Sequence, residues 1–174
     1  MSKIAYELKN IKGIVFDVDG VLSPSTIPLL SDGTPARMVN IKDGYAIQLA
    51  IKMGYKIAII TGADSEAIKK RFNGLGVDDV YLKTSTKITC LKTWIERNDL
   101  KPNEVVFVGD DVPDYECMNH VGLSVAPADA SEDILRIAKY ISPVNGGNGV
   151  ARDVLEQIMR NNGQWLNSEK AFGW

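Results

Sequence analysis

Four apolar segments of the sequence are each followed by polar side chains that could take part in chemistry. Asp17 and Asp19 follow the first segment, Thr61 follows the second, Lys87 comes shortly after the third, and an acidic pair at 110–111 follows the fourth. Crowded carboxylates repel one another unless a cation neutralises them, and hard oxygen ligands favour Mg²⁺. A magnesium ion beside a lysine and a threonine hydroxyl makes a suitable seat for a phosphoryl group.

Two neighbouring carboxylates in such a site could divide a phosphoryl transfer into two steps. One could attack phosphorus and form an aspartyl phosphate. A second, two residues further on, could protonate the leaving oxygen and later deprotonate the attacking water. Gly20 follows the Asp-x-Asp pair, and a glycine would help the chain to loop back so that both carboxylates lie near each other.

Each of these residues taken alone has an ordinary structural explanation. An aspartate after a strand commonly serves a turn or caps a helix, and a lone lysine is usually solvated. Those explanations give no reason for all four groups to follow successive strands. Because ligands bind beyond the carboxyl ends of the strands in an open parallel sheet, we expect the four groups to converge on one edge.

The elements that must position these groups alternate along the chain between β-rich apolar runs and segments of helical period. This alternation predicts an α/β fold, a Rossmann-like three-layer sandwich with a central parallel sheet. Strands are predicted at 13–16, 56–60, 79–82, 104–108, 123–126 and 139–141. Helices are predicted at 44–53, 65–75, 88–98, 114–119, 131–139 and 150–161, with Asp64 and Ser65 as candidate N-cap residues of the second.

The segment at 22–40 interrupts this alternation. Its prolines disfavour a helix, and Ser-Asp-Gly at 31–33 between two extended runs predicts a β-hairpin arm inserted after the first strand. We expect a single domain over 1–174, with the arm at about 22–40 and a C-terminal tail at about 162–174. The tail holds two of the three tryptophans, so it either packs onto its own domain or reaches a neighbour's site.

The composition is that of an ordinary soluble globular chain. Hydrophobic residues make up 45% and charged residues 24% of the 174 residues. The net charge of −2 argues against nucleic acid as a partner. The apolar runs are far shorter than the roughly 20 residues of a membrane helix, and the first ten residues lack the apolar core of a signal peptide. Cys90 and Cys117 show no metal-ligand spacing, so we expect a reducing, cytoplasmic compartment.

The four groups lie in motifs that resemble those of the haloacid dehalogenase-like phosphatases. Ile-Val-Phe-Asp-Val-Asp-Gly-Val-Leu at 14–22 resembles the first motif and Ile-Ile-Thr-Gly at 59–62 the second. Lys87 resembles the third motif, and Val-Gly-Asp-Asp-Val-Pro-Asp at 108–114 resembles the fourth. The resemblance covers about 11–126 with the motifs in the expected order, and it implies a Mg²⁺-dependent phosphatase.

The resemblance also implies roles for individual residues. Asp17 would be the nucleophile and Asp19 the general acid and base, while Thr61, Gly62 and Lys87 would hold the phosphoryl group. The implied Mg²⁺ ligands are the Asp17 carboxylate, the Asp110 carboxylate and the backbone carbonyl of Asp19. Two further carboxylates, Asp111 and Asp114, are expected beside these ligands.

The numbers of residues between the four motifs indicate which subgroup of the family this chain resembles. About 40 residues separate Gly20 from Thr61, and about 20 separate Lys87 from Gly109, which leaves no room for a cap domain. A capless member needs a macromolecular substrate or a neighbouring subunit to cover the site. The segments 39–47 and 146–153 resemble those of the 3-deoxy-manno-octulosonate 8-phosphate phosphatases, which are tetramers in which one subunit's hairpin covers the next subunit's site.

This closer resemblance implies a substrate and its binding residues. The substrate would be an eight-carbon keto sugar acid phosphate, an intermediate of lipopolysaccharide synthesis. The residues expected to bind it are Asn40, Lys42, Asp43, Gly44 and Arg71, of which Lys42 and Arg71 are candidates for its carboxylate.

Three alternatives are considered from the sequence, of which a nine-carbon substrate stays open. The first alternative is a nine-carbon keto sugar acid phosphate as the substrate. Family members often have arginine just after the second motif, and a sister group acting on the nine-carbon compound has glutamate there. This chain has Ala63 and Asp64 instead, so the residue after the motif does not decide between the two substrates. A capless protein phosphatase would fit the bare core but not the resemblance of the segments 39–47 and 146–153. A phosphoaccepting receiver domain, a switch protein rather than an enzyme, uses an aspartate cluster, Mg²⁺, a threonine and a lysine in a different order along the chain.

Overall fold

The predicted strands pair in one parallel sheet. The computed structural model describes residues 3–167 and 169–173. The strands in this range are β1 (Gly13–Phe16), β2 (Lys56–Ile60), β3 (Asp79–Tyr81), β4 (Val105–Val108), β5 (Leu123–Ala126) and β6 (Tyr140–Ile141). They lie in the order β3-β2-β1-β4-β5-β6, and each neighbouring pair is parallel. The central strands β1 and β4 are apolar and buried throughout, as expected for strands covered on both faces.

Helices cover both faces of the sheet, so the predicted three-layer sandwich is confirmed. The helices are α1 (Ile41–Lys52), α2 (Glu66–Asn73), α3 (Lys87–Arg97), α4 (Tyr115–His120), α5 (Glu132–Ile137) and α6 (Val150–Asn161). Apolar side chains of α1, α2 and α6 form one core layer, and those of α3, α4 and α5 form the other. Helix α6 has the predicted bounds because its apolar side chains recur at helical spacing and face the core.

The chain reverses its direction of travel across the sheet beside β1. It runs from β1 outward to β2 and β3, and α3 then carries it back to β4 on the other side of β1. Phe16 at the end of β1 pairs with Val108 at the end of β4, so the loops that follow these strands start side by side. An open α/β sheet binds its ligand in the crevice at such a reversal.

Helix α1 starts earlier than predicted because of its N-cap residue. The Asn40 side-chain oxygen accepts hydrogen bonds from the backbone N–H groups of Lys42 (2.9 Å) and Asp43 (3.4 Å). These bonds satisfy donors that have no partner within the helix. The helix therefore begins at Ile41, whereas the apolar pattern predicted a start at 44.

Helix α2 is shorter than predicted, spanning Glu66–Asn73 rather than 65–75. Its cap position is Ser65, one of the two candidates. The prediction of Asp64 as a cap is wrong, because the Asp64 carboxylate instead pairs with Lys83 across 2.9 Å at the surface. This pairing also keeps Asp64 out of the site.

The segment between β1 and α1 forms the predicted arm, although its two sides pair only briefly. The Gly33 N–H donates to the Leu30 carbonyl (2.9 Å), the Leu30 N–H donates to the Thr34 carbonyl (2.8 Å), and one antiparallel bridge joins Leu29 to Pro35. Prolines lack the N–H donor that a longer ladder would need. Within the described residues, neither this arm nor the stretch between α3 and β4 forms a separate cap domain.

The described part of the tail packs onto its own domain. Trp165 is buried, with the Arg152 guanidinium 4.3 Å from its ring centroid and the Tyr45 ring edge-on at 6.0 Å. These contacts place the tail against α1 and α6. Ser168 and Trp174, which belong to the predicted tail, lie outside the described residues.

Candidate active site

The loops after β1, β2 and β4 and the start of α3 surround one cavity of about 520 Å³. It lies at the reversal point of the sheet, where the sequence places its polar groups. The predicted site residues that line it are Asp17, Asp19, Thr61, Gly62, Lys87, Asp110, Asp111 and Asp114. Residues up to 97 positions apart in the sequence (17 to 114) therefore share one cavity because parallel strands end at the same edge of the sheet.

Lys87 forms the centre of a buried ion-pair network. Its Nζ lies 2.9 Å from Asp17 Oδ1 and 2.7 Å from Asp114 Oδ1. Burial acts to lower the pKa of Lys87, but the Asp17 and Asp114 carboxylates outweigh it and raise that pKa. The ammonium group is therefore held in its charged form, and it stands beside Asp17 where it can attract an anion.

Three carboxylates gather next to this lysine. Oxygen atoms of Asp17, Asp110 and Asp114 all lie within 4.8 Å of one another. Burial, followed by the repulsion of neighbouring carboxylates, raises the pKa of Asp17 to about 7 and that of Asp110 to about 8. Such crowding of anions is unfavourable without a cation, and an all-oxygen donor set suits Mg²⁺. The residues present therefore fit the predicted magnesium ion.

Asp114 is more deeply involved than the sequence indicated. It is almost fully buried, and its second carboxylate oxygen accepts a hydrogen bond from the Asp110 N–H at 3.1 Å. It thereby orients both Lys87 and the Asp110 loop. Asp111 is exposed at the cavity rim and precedes the short 3₁₀ turn that leads into α4.

Thr61 and Gly62 form the β2 side of the cavity. Thr61 is buried, and its Oγ1 accepts a hydrogen bond from the Ala63 N–H at 3.1 Å. Gly62 is exposed to the cavity. The turn is held because the Thr61 carbonyl accepts the Thr84 N–H at 3.0 Å, which ties the loop after β2 to the loop that leads to Lys87.

The loop after β1 needs glycine for close packing. Gly20 has a φ of +84°, and a Cβ atom built on it would lie 1.9 Å from Asp110 Oδ2. On its other side, a Cβ on Gly146 would lie 2.0 Å from the Gly20 carbonyl oxygen. The Gly147 N–H donates to the Val21 carbonyl at 2.8 Å. The glycine-rich segment at 146–149 therefore supports the loop that carries Asp17 and Asp19.

We expect Gly20→Ala to displace Asp110 and weaken metal binding. The Mg²⁺ concentration needed for half-maximal activity should rise at least about tenfold, since a displaced carboxylate loses orientation at the metal. Gly33→Ala is the matched control: Gly33 has a φ of +81° but no atom within 4 Å of the added Cβ. Both variants carry the strain of a positive φ, so an equal Mg²⁺ requirement in the two would contradict the expectation.

Asp19 faces an arginine of the arm that the sequence analysis missed. Arg37 Nε donates to Asp19 Oδ1 at 2.7 Å, and Arg37 Nη2 donates to Asp19 Oδ2 at 2.8 Å. These hydrogen bonds to Asp19 raise the pKa of Arg37. The sequence offered one signal for this contact, a basic residue in an arm that follows the first strand and lies near the site. No residue spacing predicts which residue of the arm reaches Asp19.

Five predicted substrate-binding residues do not line this cavity within one subunit. Asn40 caps α1, and its side-chain nitrogen donates to the Gly147 carbonyl at 3.3 Å. Lys42 is exposed, and Asp43 is buried. Gly44 leaves room for Arg71, whose Nη2 would lie 2.4 Å from an added Cβ. Their part in binding substrate stays a prediction.

Asp43 predicts a pH-dependent stability. Burial raises its pKa to about 6, although it accepts the Arg152 N–H at 2.7 Å. The unfolded-state pKa is about 3.9, so the folded protein binds this proton more tightly. The Asp43 contribution to the free energy of unfolding is therefore largest below about pH 4 and is lost as the pH rises through about 6, a change of roughly 2–3 kcal/mol.

Asp43→Asn should remove this pH dependence while its amide oxygen still accepts the Arg152 N–H. The free energy of unfolding, measured with urea, should fall by about 2–3 kcal/mol more in wild type than in the variant between pH 4 and pH 7. Asp78→Asn, which removes a charge from an exposed position, serves as the control. A constant difference between wild type and Asp43→Asn across this range would contradict the prediction.

Comparison with known proteins identifies the family of this chain. The haloacid dehalogenase-like hydrolase family matches residues 79–154. A protein of Escherichia coli K12 is 35% identical over 151 residues, which cover 87% of this chain and 80% of that protein. The chain therefore belongs to the haloacid dehalogenase-like hydrolases. The Escherichia coli relative is a 3-deoxy-D-manno-octulosonate 8-phosphate phosphatase.

Solved structures show the same likeness. The 3-deoxy-D-manno-octulosonate 8-phosphate phosphatase of Yersinia pestis has a TM-score of 0.86 and 34% identity, covering 90% of this chain and 85% of that one. The enzyme of that name from Moraxella catarrhalis, in complex with magnesium ion, phosphate ion and KDO, has a TM-score of 0.86 and 30% identity over 90% and 91% of the two chains. The receiver-domain alternative is wrong, because the chain is a phosphatase of the hydrolase family.

Proposed function

We propose that this protein is the phosphatase of an eight-carbon keto sugar acid, releasing the free acid and phosphate from 3-deoxy-D-manno-octulosonate 8-phosphate. One combined observation supports the proposal. Asp17 pairs with Lys87 beside a cluster of carboxylates, and the chain that holds this site is 35% identical to such an enzyme over 87% of its length. The proposed residue roles are those that the resemblance implies, and the distances within this site support them.

Asp17 is proposed to be the nucleophile. Its carboxylate attacks phosphorus, the bond from phosphorus to the sugar oxygen breaks, and that oxygen takes a proton from Asp19. Asp19 then accepts a proton from water as the water attacks the aspartyl phosphate, and phosphate leaves while Asp17 is regenerated. Lys87, Thr61 and the Gly62 loop hold the phosphoryl oxygens throughout, because they line the same cavity as Asp17.

The cofactor of this chemistry is Mg²⁺. Asp17, Asp110 and the backbone carbonyl of Asp19 are its proposed ligands, with Asp111 and Asp114 beside them. The ion supplies positive charge for the phosphoryl oxygens and offsets the repulsion among the carboxylates.

The proposed assembly is a homotetramer in which a neighbouring subunit covers the site. The arm supports this proposal because it exposes apolar side chains that a lone subunit leaves in water. The exposed apolar residues in and just after the arm are Leu29, Leu30, Met38, Val39 and Ile41. In such an assembly the exposed Lys42 could reach a substrate held by a neighbour, whereas Arg71 would have to move because its Nη2 is buried against Gly44.

The proposed compartment is the cytoplasm. Cys90 and Cys117 are both free thiols, which suits a reducing environment. Among the described residues, no helix is both long enough and apolar enough to span a bilayer.

Phosphate release from a panel of substrates tests the proposed function. The panel consists of the eight-carbon and nine-carbon keto sugar acid phosphates and hexose 6-phosphates, each with Mg²⁺ and with EDTA. We expect the highest kcat/KM on the eight-carbon compound, complete loss with EDTA, and recovery with Mg²⁺. A higher kcat/KM on the nine-carbon compound would favour that alternative, and hydrolysis unaffected by EDTA would refute the proposed site.

A further inference from the structure

The arm contributes one side chain that reaches directly into the reaction centre. Arg37 engages both carboxylate oxygens of Asp19, at 2.7 and 2.8 Å. The Arg37 side chain is only 14% exposed although it belongs to a mostly exposed segment. A planar guanidinium fork of this kind is the geometry with which arginine recognises carboxylates.

This pairing conflicts with the work that Asp19 has to do. In the proposed mechanism, one Asp19 oxygen gives a proton to the leaving oxygen and later takes one from water. Both oxygens instead accept hydrogen bonds from Arg37. Each Asp19 oxygen keeps a second lone pair, but the guanidinium fork fixes the orientation of the carboxylate, so we expect the contact to turn or open when the proton is transferred.

The guanidinium also has donors to spare. Its hydrogen bonds within the described residues use Nε and Nη2 only, whereas an arginine has five N–H donors. A second carboxylate arriving in the cavity could therefore bind Arg37 beside Asp19 or in its place. The proposed substrate carries such a carboxylate at the other end of a short sugar chain from its phosphate.

We infer that Arg37 determines specificity by binding the carboxylate of the substrate and thereby releasing Asp19 for proton transfer. The inference rests on the proposed function, and it assigns to Arg37 the carboxylate for which the sequence analysis named Lys42 and Arg71. In the free protein, Asp19 occupies the guanidinium donors that the substrate carboxylate takes in the complex. A phosphate ester without a carboxylate leaves Asp19 bound to Arg37. Substrates with and without a carboxylate should therefore differ in kcat as well as in KM.

The test compares wild type, Arg37→Ala and Arg37→Lys on the eight-carbon keto sugar acid phosphate and on glucose 6-phosphate. For Arg37→Ala we expect kcat/KM on the acid to fall on the order of 100-fold, as for the loss of one member of a hydrogen-bonded charge pair. Hydrolysis of glucose 6-phosphate should become faster, because Asp19 is no longer held, and an unchanged rate would contradict the release of Asp19. Arg37→Lys, which keeps the charge but not the fork, should lie between the two.

Binding of the free eight-carbon keto sugar acid, measured by calorimetry, gives a readout separate from turnover. Its dissociation constant should rise at least about tenfold in Arg37→Ala. Arg136→Ala, in an exposed ion pair on α5, should leave both measurements unchanged. Thermal unfolding of each variant shows whether the fold is retained, and Arg37→Lys replaces Arg37→Ala if the latter does not fold.

The outcomes separate this inference from the proposed function. An equal fall of kcat/KM on both substrates would show that Arg37 only positions Asp19, and the inference would be overturned. Unchanged binding of the free acid would overturn it as well. If wild type prefers the nine-carbon acid phosphate, the same comparison applies to that compound, and if wild type hydrolyses neither acid phosphate, the proposed function fails and this inference fails with it.

Discussion

Asp17→Asn will lose phosphatase activity by at least about 10⁴-fold, because an amide cannot attack phosphorus to form the covalent intermediate. The substitution keeps the shape of the side chain, and the amide oxygen can still accept the hydrogen bond that Lys87 Nζ gives at 2.9 Å. The fold should therefore be retained. Phosphate release at saturating substrate measures the loss.

Two controls separate the loss of a nucleophile from other effects of Asp17→Asn. Asp17 is also a proposed Mg²⁺ ligand, so the assay is repeated over a wide range of Mg²⁺ concentrations, and activity should not return. Asp32→Asn, an exposed substitution in the arm, should be fully active. Recovery of Asp17→Asn at high Mg²⁺ would assign the residue to metal binding alone and would contradict its role as nucleophile.

Lys87→Met will both inactivate the protein and destabilise it. The lysine is 6% exposed and pairs with two carboxylates, Asp17 and Asp114, which are themselves buried. Removing one partner of a buried ion pair leaves uncompensated charge and typically costs about 3–5 kcal/mol. We expect a loss of this size in urea unfolding without Mg²⁺, together with at least about 10³-fold lower kcat/KM because the phosphoryl group loses a charged hydrogen-bond donor.

Lys92→Met on the same helix is the matched control for this prediction. Lys92 is exposed, so its replacement should change the free energy of unfolding by less than about 0.5 kcal/mol and leave kcat/KM unchanged. Mg²⁺ should restore part of the stability of Lys87→Met, since a cation can compensate the same carboxylates. Equal unfolding midpoints for the two lysine variants would contradict the ion-pair network as a source of stability.

The main outline of the fold and the polar groups that line the cavity could be predicted without coordinates. Alternation of buried strands and amphipathic helices specifies a parallel α/β sheet, and parallel strands end at one edge. Polar residues placed after successive strands must therefore meet there. For this reason Asp17, Thr61, Lys87 and Asp110 could be assigned to one site from their positions alone.

Details that depend on long-range contacts could not be predicted in this way. Helix α1 starts at Ile41 because Asn40 caps it and also reaches Gly147, more than 100 residues away. The spacing of apolar residues along the helix gives no information about such a hydrogen bond. The place of Asp64 before α2 indicated a cap, but its carboxylate pairs with Lys83 at the surface, and Ser65 takes the cap position.

By itself, the sequence determined which residues stand at the strand ends, and with them the class of chemistry, because that information is local and periodic. Only the tertiary structure decided that Arg37 of the arm holds Asp19 and that Gly146 packs against Gly20. It also placed Arg71 over Gly44, away from the cavity. These contacts join segments whose separation in the chain has no fixed relation to their separation in space, since irregular loops follow no repeating geometry.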